Sequence, residues 1–409
     1  MLDIKSISGL TYEVWRGVIE HIGAVEEVRI QECYGIRYLW ESEEVSKVLV
    51  NIKKLEVSRC SLESLGEKDE EDNSGSSLLS SLRTLNVYDC HKMERCCCPN
   101  SIESLHIKDC SSLTHVSFPA SATGGGGQKL KSLKIVACRK LTEKINNIST
   151  GVLESINIRD WTNLKSMMQL GNFIYLTELY LYNCPSLESF PDIQLPVLTD
   201  LTILQCESLE SFSAHQMRNL TQLKCLKIIE CPSIDASSHG GVWPPNLCSL
   251  RIGRLKKPMS ECGPQSFPPS LVDLELYDEH NVNDCQLSHL FPPSLIKLRI
   301  VNFEKLESLS IGLQHLTSLQ QLHIYYCPKM KHLPKHLTSL NRLRIVNCPE
   351  MKHLPKHLLP LLLSLEIYGC PKLSKRCEGR GSHYYPLISH IPNIDIDPGI
   401  PMEIEFGLR

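Results

Sequence analysis

One apolar template recurs along most of this chain and restricts its fold more than any other feature. It can be written L-x-x-L-x-I-x-x-C-x-x-L-x-x-L, and residues 176–190 show it in full. A period of roughly 20–29 residues leaves room for one strand and one return segment per copy, so the copies must stack on one another. We count fifteen copies, whose second apolar positions are Val28, Leu55, Leu85, Leu105, Leu133, Ile156, Leu179, Leu201, Leu226, Leu250, Leu274, Leu298, Leu322, Leu343 and Leu365.

The L-x-I part of the template alternates with period two, which is typical of a short strand with one buried face. The return segments are short and rich in proline, which opposes long helices. We therefore expect an α/β fold: a leucine-rich-repeat solenoid with a curved, parallel, concave β-sheet and convex loops with short 3₁₀ turns. The expected domains are an N-terminal end segment at 1–24, a solenoid of about fifteen repeats at 25–377 and a C-terminal capping segment at 378–409.

Nineteen cysteines are present, and most recur in one slot of the template, where the chain leaves the strand and turns inward. Trp161, Leu255 and Phe303 fill the same slot in other copies, which favours packing over chemistry. We expect reduced, buried thiols, and we interpret the run at 96–98 as packing too, because metal sites usually need spaced cysteine pairs. The cysteines in the slot are Cys33, Cys60, Cys90, Cys110, Cys138, Cys184, Cys206, Cys231, Cys327, Cys348 and Cys370.

Composition and charge exclude several classes of protein. The formal net charge is −3, which gives no reason to expect a nucleic-acid partner or a basic membrane-surface protein. No apolar run is long enough for a membrane span, and the N-terminus lacks a secretory pattern. We therefore expect a cytoplasmic protein, with a nuclear location also open. The polar stretches 66–77 and 119–128 predict extruded loops, and Glu279 within 278–284 predicts an irregular repeat.

The sequence contains no motif that predicts catalysis. The glycine-rich stretch 124–129 lacks the Gly-Lys-Ser/Thr ending of a phosphate loop, and no nucleophile elbow or paired catalytic carboxylates stand out. Residues 331–336 and 352–357 are near-copies rich in Lys and His. Because each contains a proline, we expect a basic patch on the convex side rather than a helical metal site. We predict no enzyme, and no catalytic, cofactor-binding or metal-binding residue.

The side chains that alternate with the buried strand residues are the candidates for recognition. We expect Glu275 to lie beside Arg299, Asp273 beside Lys297, and Arg344 beside Glu366. These positions are open to two interpretations: a self-paired polar ladder that keeps the sheet soluble, or a binding surface, since Tyr and Arg are enriched among interface hot spots. The candidate partner-binding residues are Tyr180, Tyr182, Tyr277, Arg299, His323, Tyr325, Arg344 and Tyr368.

The form C-P-x-L-x-x-L-P, as in residues 327–334, resembles the repeats of plant intracellular nucleotide-binding leucine-rich-repeat disease-resistance proteins of the coiled-coil class. The stretch 385–396 is similar to the end of such an array. The resemblance covers nearly the whole chain and implies a sensor of a pathogen effector or of a guarded host protein. It also implies autoinhibition of a nucleotide-binding switch domain, if the full-length protein has one.

Two other functions stay open at this point. Substrate-recognition modules of ubiquitin ligases also have cysteine-bearing leucine-rich repeats. Their repeats run longer and carry a helix after the cysteine, whereas five of the slot cysteines here are followed by proline. A repeat-bearing regulator of an enzyme, without a role in immunity, fits the sequence equally well.

Overall fold

A computed structural model of the protein describes every residue except 8, 20, 22–23, 40–50, 66–78, 119–128, 143–144, 146–147, 149–151, 168–172, 190–194, 258, 262–266, 278–286, 288–289, 310–312, 378–382 and 398–409. The chain divides into two compact units, Met1–Glu210 and Ser211–Arg409. The loops expected at 66–77 and 119–128, and the irregular stretch 278–284 with Glu279, lie outside the described residues.

In the first unit, consecutive parallel strands form one sheet. Its strands are β1 (Leu2–Lys5), β2 (Glu27–Gln31), β3 (Lys54–Ser58), β4 (Thr84–Tyr88), β6 (Ser104–Lys108), β8 (Ser132–Val136), β9 (Ser155–Arg159), β10 (Glu178–Tyr182) and β11 (Asp200–Leu204). Two short strands, β5 (Arg95–Cys97) and β7 (His115–Ser117), pair in a separate sheet. One helix, α1 (Tyr12–Ile19), follows β1.

The second unit repeats the arrangement, with each described strand parallel to the next one along the chain. The strands are β12 (Cys225–Asp235), β13 (Ser249–Lys257), β14 (Asp273–Tyr277), β15 (Lys297–Val301), β16 (Gln321–Tyr325), β17 (Arg342–Val346), β18 (Ser364–Tyr368) and β19 (Asn393–Asp397). The helices are α2 (Ala214–Asn219), α3 (Pro371–Cys377) and α4 (Tyr385–Ile388), with 3₁₀ turns at Met259–Glu261 and Leu359–Leu361.

The repeat template correctly predicts fifteen of the strands: β2–β4, β6 and β8–β18. All fifteen named positions lie in these strands, and none is more than 3% exposed. Because a fully buried Leu or Ile contributes about 1.5–3 kcal/mol relative to an exposed one, this column of side chains is the main source of stability. The fold is a parallel β-solenoid with little helix, as the template predicts. None of the helices in the described part of the chain has the length and apolarity needed to span a bilayer.

The slot cysteines close each repeat in the same way. All eleven are buried thiols that form no disulfide, and most donate to the carbonyl two residues earlier, as Cys184 Sγ does to Tyr182 O at 3.6 Å. The residue before the slot adopts a left-handed conformation, for example Asn183 at φ 52°. Its N–H donates to the last carbonyl of the next strand, Leu204 O, at 2.9 Å. Asn, Asp and Gly tolerate this conformation best, which explains why they often precede the cysteine.

The other residues in the slot pack as expected with one exception. Trp161 and Phe303 are buried, whereas Leu255 pairs in register with Cys231 but is only half-buried. Cys96 on β5 and Cys98 directly after it are buried, with their sulfur atoms 3.8 Å apart. This placement agrees with packing.

Candidate functional site

The outward side chains of β14–β18 form three aligned rows on the second unit, which we call the outer face. The register places Glu275 beside Arg299, Asp273 beside Lys297, and Arg344 beside Glu366, as predicted. The first row contains Asp273, Lys297, Gln321, Arg342 and Ser364; the middle row Glu275, Arg299, His323, Arg344 and Glu366; and the third row Tyr277, Val301, Tyr325, Val346 and Tyr368.

At the β14 end of the outer face, a buried carboxylate is held by two arginines and a tyrosine. Glu275 is 6% exposed. Its Oε2 lies 3.0 Å from Arg299 Nη1 and 3.2 Å from Arg251 Nε. Tyr277 Oη donates to Glu275 Oε1 at 2.5 Å, and burial with the adjacent carboxylate raises the pKa of Tyr277. Arg299 also pairs with Asp273 at 2.9 Å, so the charges at this end are paired with one another within the outer face.

At the centre of the outer face, His323 is buried among cations. It is 7% exposed, and its Nδ1 lies 3.2 Å from Tyr325 Oη, whereas its Nε2 has no hydrogen-bond partner. Burial, reinforced by Lys297 and the neighbouring arginines, lowers the pKa of His323 to about 3. The imidazole is therefore neutral at physiological pH, and its second nitrogen is buried without a hydrogen-bond partner.

Arg344 is held in place by aromatic rings. Its guanidinium carbon lies 5.7 Å from the centroid of the Tyr325 ring and 5.8 Å from that of Tyr368. Both distances are within the range of cation–π attraction. Arg344 Nε also lies 3.3 Å from Glu366 Oε2, as an ion pair without hydrogen-bond geometry. The arginine is thus fixed in orientation without being fully satisfied by hydrogen bonds.

Several outward residues of the outer face are buried. Tyr368 is only 7% exposed and donates to Asp395 Oδ2 at 2.6 Å. Burial is the main cause, and this hydrogen bond the second, that raises the pKa of Tyr368 to about 12. His323 is equally buried, and Val346 is fully so. Tyr368 contacts Asp395 on β19 and Arg344 on β17, and His323 contacts Tyr325 on its own strand.

Two cations on the outer face have no carboxylate ion pair among the described residues: Lys297, which is half-buried, and Arg342, which is exposed. They flank Gln321 in the first row. Burial, and then the charge of Arg299, lowers the pKa of Lys297. The strands β15–β17 carry four cations and no carboxylate at their outward positions. Arg299 and Arg344 pair with carboxylates of β14 and β18, so the positive charge without an ion pair at the centre of the outer face is that of Lys297 and Arg342. Lys297 and Arg342 were not among the candidates from sequence, although the same template places them.

The remaining candidates, Tyr180 and Tyr182, lie on β10 in the first unit. Arg159 stacks over the Tyr180 ring, 4.6 Å from its centroid, and Tyr182 is the register partner of Arg159. Burial raises the pKa of Tyr180. This smaller patch combines aromatic and guanidinium groups as the outer face does, but it lacks the four-cation run of β15–β17.

No catalytic or metal-binding arrangement emerges from the residues described. Among them, no group of three or more His, Cys, Asp or Glu could hold a metal ion. A cavity of about 280 Å³ lies where the strands of the second unit end. It is lined by Arg254, Asn302, Glu304, Tyr326, Pro328, Asn347 and Pro349. Three of these, at 302, 326 and 347, directly follow the third row of the outer face, so the cavity adjoins that row.

Comparison with known proteins supports the fold. No protein-family model matches the sequence, and no curated protein does. Among solved structures, a leucine-rich-repeat protein of Leptospira interrogans is 17% identical, with a TM-score of 0.55 over 88% of this chain and 87% of that one. The TLR13–ssRNA13 complex is 14% identical, with a TM-score of 0.46 over 97% of this chain and 62% of that one. The first similarity shows that the chain has the leucine-rich-repeat fold.

Proposed function

We propose that the chain is a protein-binding recognition module in plant innate immunity. It binds a pathogen effector, or a host protein that the pathogen modifies, through the outer face of β14–β18. In a full-length receptor with a nucleotide-binding switch domain, the same repeats hold that domain inactive. The module acts by binding and not by catalysis, and it works in the cytoplasm or the nucleus.

The observation that carries this proposal is the presence of two cations, Lys297 and Arg342, that have no carboxylate ion pair among the described residues, near the half-buried ring of Tyr325. A ladder that served solubility alone would alternate charges of both signs across neighbouring strands. Tyr and Arg contribute large contact areas and directional donors, and they are enriched among hot spots. Arg344 is already oriented by two rings, so less side-chain entropy is lost when it binds a partner.

The assignment to plant immunity depends on two segments, 327–334 and 385–396, that resemble parts of plant nucleotide-binding leucine-rich-repeat disease-resistance proteins. The prolines that follow five slot cysteines favour this class over the ubiquitin-ligase module. The cavity beside the third row adds a recess into which a side chain of the partner can insert. Tyr180 and Tyr182 form the second candidate contact, on the first unit.

The test begins with proteins from infected leaf extract that immobilised wild-type protein retains and bare resin does not. Each retained protein is then purified and its affinity measured by calorimetry for wild type, Tyr325→Ala, Arg342→Ala and Arg344→Ala. We expect each substitution to weaken binding by about 1–3 kcal/mol. Arg218→Ala, which removes an exposed arginine from α2, is the matched control and should leave affinity unchanged.

Melting temperatures of the same variants separate binding from folding. Arg342→Ala changes an exposed residue, so its stability should stay within about 0.5 kcal/mol of wild type. If Tyr325→Ala, Arg342→Ala and Arg344→Ala all bind the partner like wild type, the outer face is not the recognition surface. The same measurements would then be made on Tyr180→Ala and Tyr182→Ala.

A further inference from the structure

Two consecutive return segments of the second unit carry the same six residues, K-H-L-P-K-H, at 331–336 and 352–357. They follow β16 and β17, whose register pairs Gln321 with Arg342, a shift of 21 residues. The two segments differ by the same shift, so equivalent side chains lie next to each other in adjacent repeats. We call this surface the basic ridge: Lys331, His332, Lys335, His336, Lys352, His353, Lys356 and His357.

The basic ridge belongs to a strongly positive part of a slightly negative chain. Residues 327–377 contain ten Lys and Arg but only two Glu, whereas the whole chain has a net charge of −3. Both glutamates are engaged elsewhere: Glu350 pairs with Lys372 at 2.5 Å, and Glu366 pairs with Arg344 on the outer face. The negative net charge of the whole chain therefore coexists with a local excess of cations in residues 327–377.

Most of the ten Lys and Arg side chains in residues 327–377 have no carboxylate ion pair among the described residues. Lys331 pairs with Glu307 at 2.8 Å, but within the described residues Lys335, Lys352 and Lys356 have no carboxylate within ion-pair distance. All three side chains are exposed. Partial burial lowers the pKa of His353, and the positive charges of Arg376, Lys352 and other neighbours lower it further. The ridge thus concentrates unneutralised charge at the surface.

The ridge itself offers no apolar contact, because its leucines at 333, 337, 354 and 358 are buried. Apolar side chains are exposed immediately beyond its second segment. Leu361, in the 3₁₀ turn Leu359–Leu361, is 40% exposed, and Leu363 is 58% exposed. They follow His357 by four and six residues in the chain, where the return segment leads into β18. The surface therefore combines a cationic array with two exposed leucines that follow it in the chain.

We propose that the basic ridge, with Leu361 and Leu363, is a peripheral binding site for the surface of an anionic phospholipid bilayer. Lysines attract anionic headgroups additively, without requiring a shaped pocket. Apolar side chains beside such a cluster can enter the boundary between headgroups and acyl chains. The site lies on return segments, whereas the outer face lies on the strands, so this proposal does not depend on the proposed function.

Two other anionic partners fit the ridge less well. A protein interface usually has a well-packed core depleted in charge and surrounded by a polar rim, whereas here the charged residues occupy the ridge and the leucines follow it in the chain. Single-stranded nucleic acid is usually held by aromatic side chains on which bases stack, and the ridge contains no Phe, Tyr or Trp. Both partners are included as outcomes of the test.

The experiment measures cosedimentation of the purified chain with phosphatidylcholine vesicles that contain or lack phosphatidylserine, at low and high salt. Each lysine near an anionic surface contributes roughly fivefold to partitioning, so Lys335→Gln/Lys356→Gln should lower the partition coefficient about 25-fold. The matched control, Lys224→Gln/Lys256→Gln, makes the same charge change at lysines of the β12 and β13 repeats and should have little effect. Leu361→Ser/Leu363→Ser should also weaken binding, without any change in charge.

The proposal holds if wild type binds only the vesicles with phosphatidylserine and the ridge and leucine variants lose binding while keeping the wild-type melting temperature. It is overturned if wild type does not bind these vesicles, or if the ridge and control variants lose binding equally. Single-stranded oligonucleotide and polyglutamate are measured in parallel. Tighter, ridge-dependent binding of either would assign the ridge to nucleic acid or to an acidic protein segment instead.

Discussion

Gly253 and Tyr277 are register partners on β13 and β14, and they approach so closely that only glycine fits at 253. A Cβ atom at Gly253 would lie 2.0 Å from Tyr277 O and 2.6 Å from Tyr277 Cβ. Most of this obstruction is backbone, so no rotation of the tyrosine side chain relieves it. The close approach allows the third row of the outer face to begin at Tyr277, whose hydroxyl completes the binding of Glu275.

Gly253→Ala should therefore destabilise the protein by about 1–3 kcal/mol, the usual cost of forcing an extra methyl group into a packed site. Urea unfolding of the variant and wild type measures the difference. Gly17→Ala is the control: Gly17 lies in α1 with no atom near its added Cβ, and alanine is the better helix former by about 1 kcal/mol. A Gly253→Ala variant as stable as wild type would show that the two strands can separate locally without cost.

The core of each repeat should be sensitive to truncation. Leu322 and its register partners Leu298 and Leu343 are fully buried, so Leu322→Ala leaves a cavity that β15 and β17 cannot fill. We expect a loss of about 2–5 kcal/mol in the free energy of unfolding. Ile394→Ala is the comparison, because Ile394 is 40% exposed on β19. Similar losses for the two variants in thermal unfolding would contradict the assignment of the core.

The slot cysteines should resist thiol reagents in the folded protein. Burial is the main cause that raises the pKa of Cys60 to about 12 and of Cys90 to about 11, so almost no thiolate forms at neutral pH. Cys225 is exposed at the start of β12 and should be alkylated first. Peptide-level mass spectrometry after brief alkylation measures each site. Rapid native labelling of Cys184 or Cys348, or a disulfide between slot cysteines, would show that the slot is open.

The strands and their register could be predicted from sequence because every repeat buries the same positions against its neighbours, so one template constrains all copies. The terminal strands β1 and β19 were missed, since Leu2-x-Ile4 and Ile394-x-Ile396 keep the alternation but lack the cysteine that follows. The burial of His323 and Tyr368 could not be predicted. Exposure on the outer face depends on the length of side chains from adjacent strands, and a template within one repeat does not contain that information.

The pH dependence of stability should reveal the buried state of His323. Its folded pKa, about 3, lies below the roughly 6.5 of an unfolded histidine. Above pH 6.5 both states are neutral, and His323 adds no pH dependence. As the pH falls below 6.5, the unfolded chain binds a proton that the folded protein excludes, so stability decreases.

At pH 5 this difference should cost about 1–2 kcal/mol, after allowance for partial solvation of the site. The measurement is urea unfolding of wild type and His323→Gln at pH 7.5 and pH 5.0. Glutamine cannot take up the proton, so the variant should lose less stability than wild type between the two pH values. His357→Gln, a change at an exposed histidine, should lose as much as wild type. If His323→Gln and wild type lose the same amount, the imidazole is either solvated or protonated in the folded protein. The positive centre of the outer face would then include His323 at mildly acidic pH.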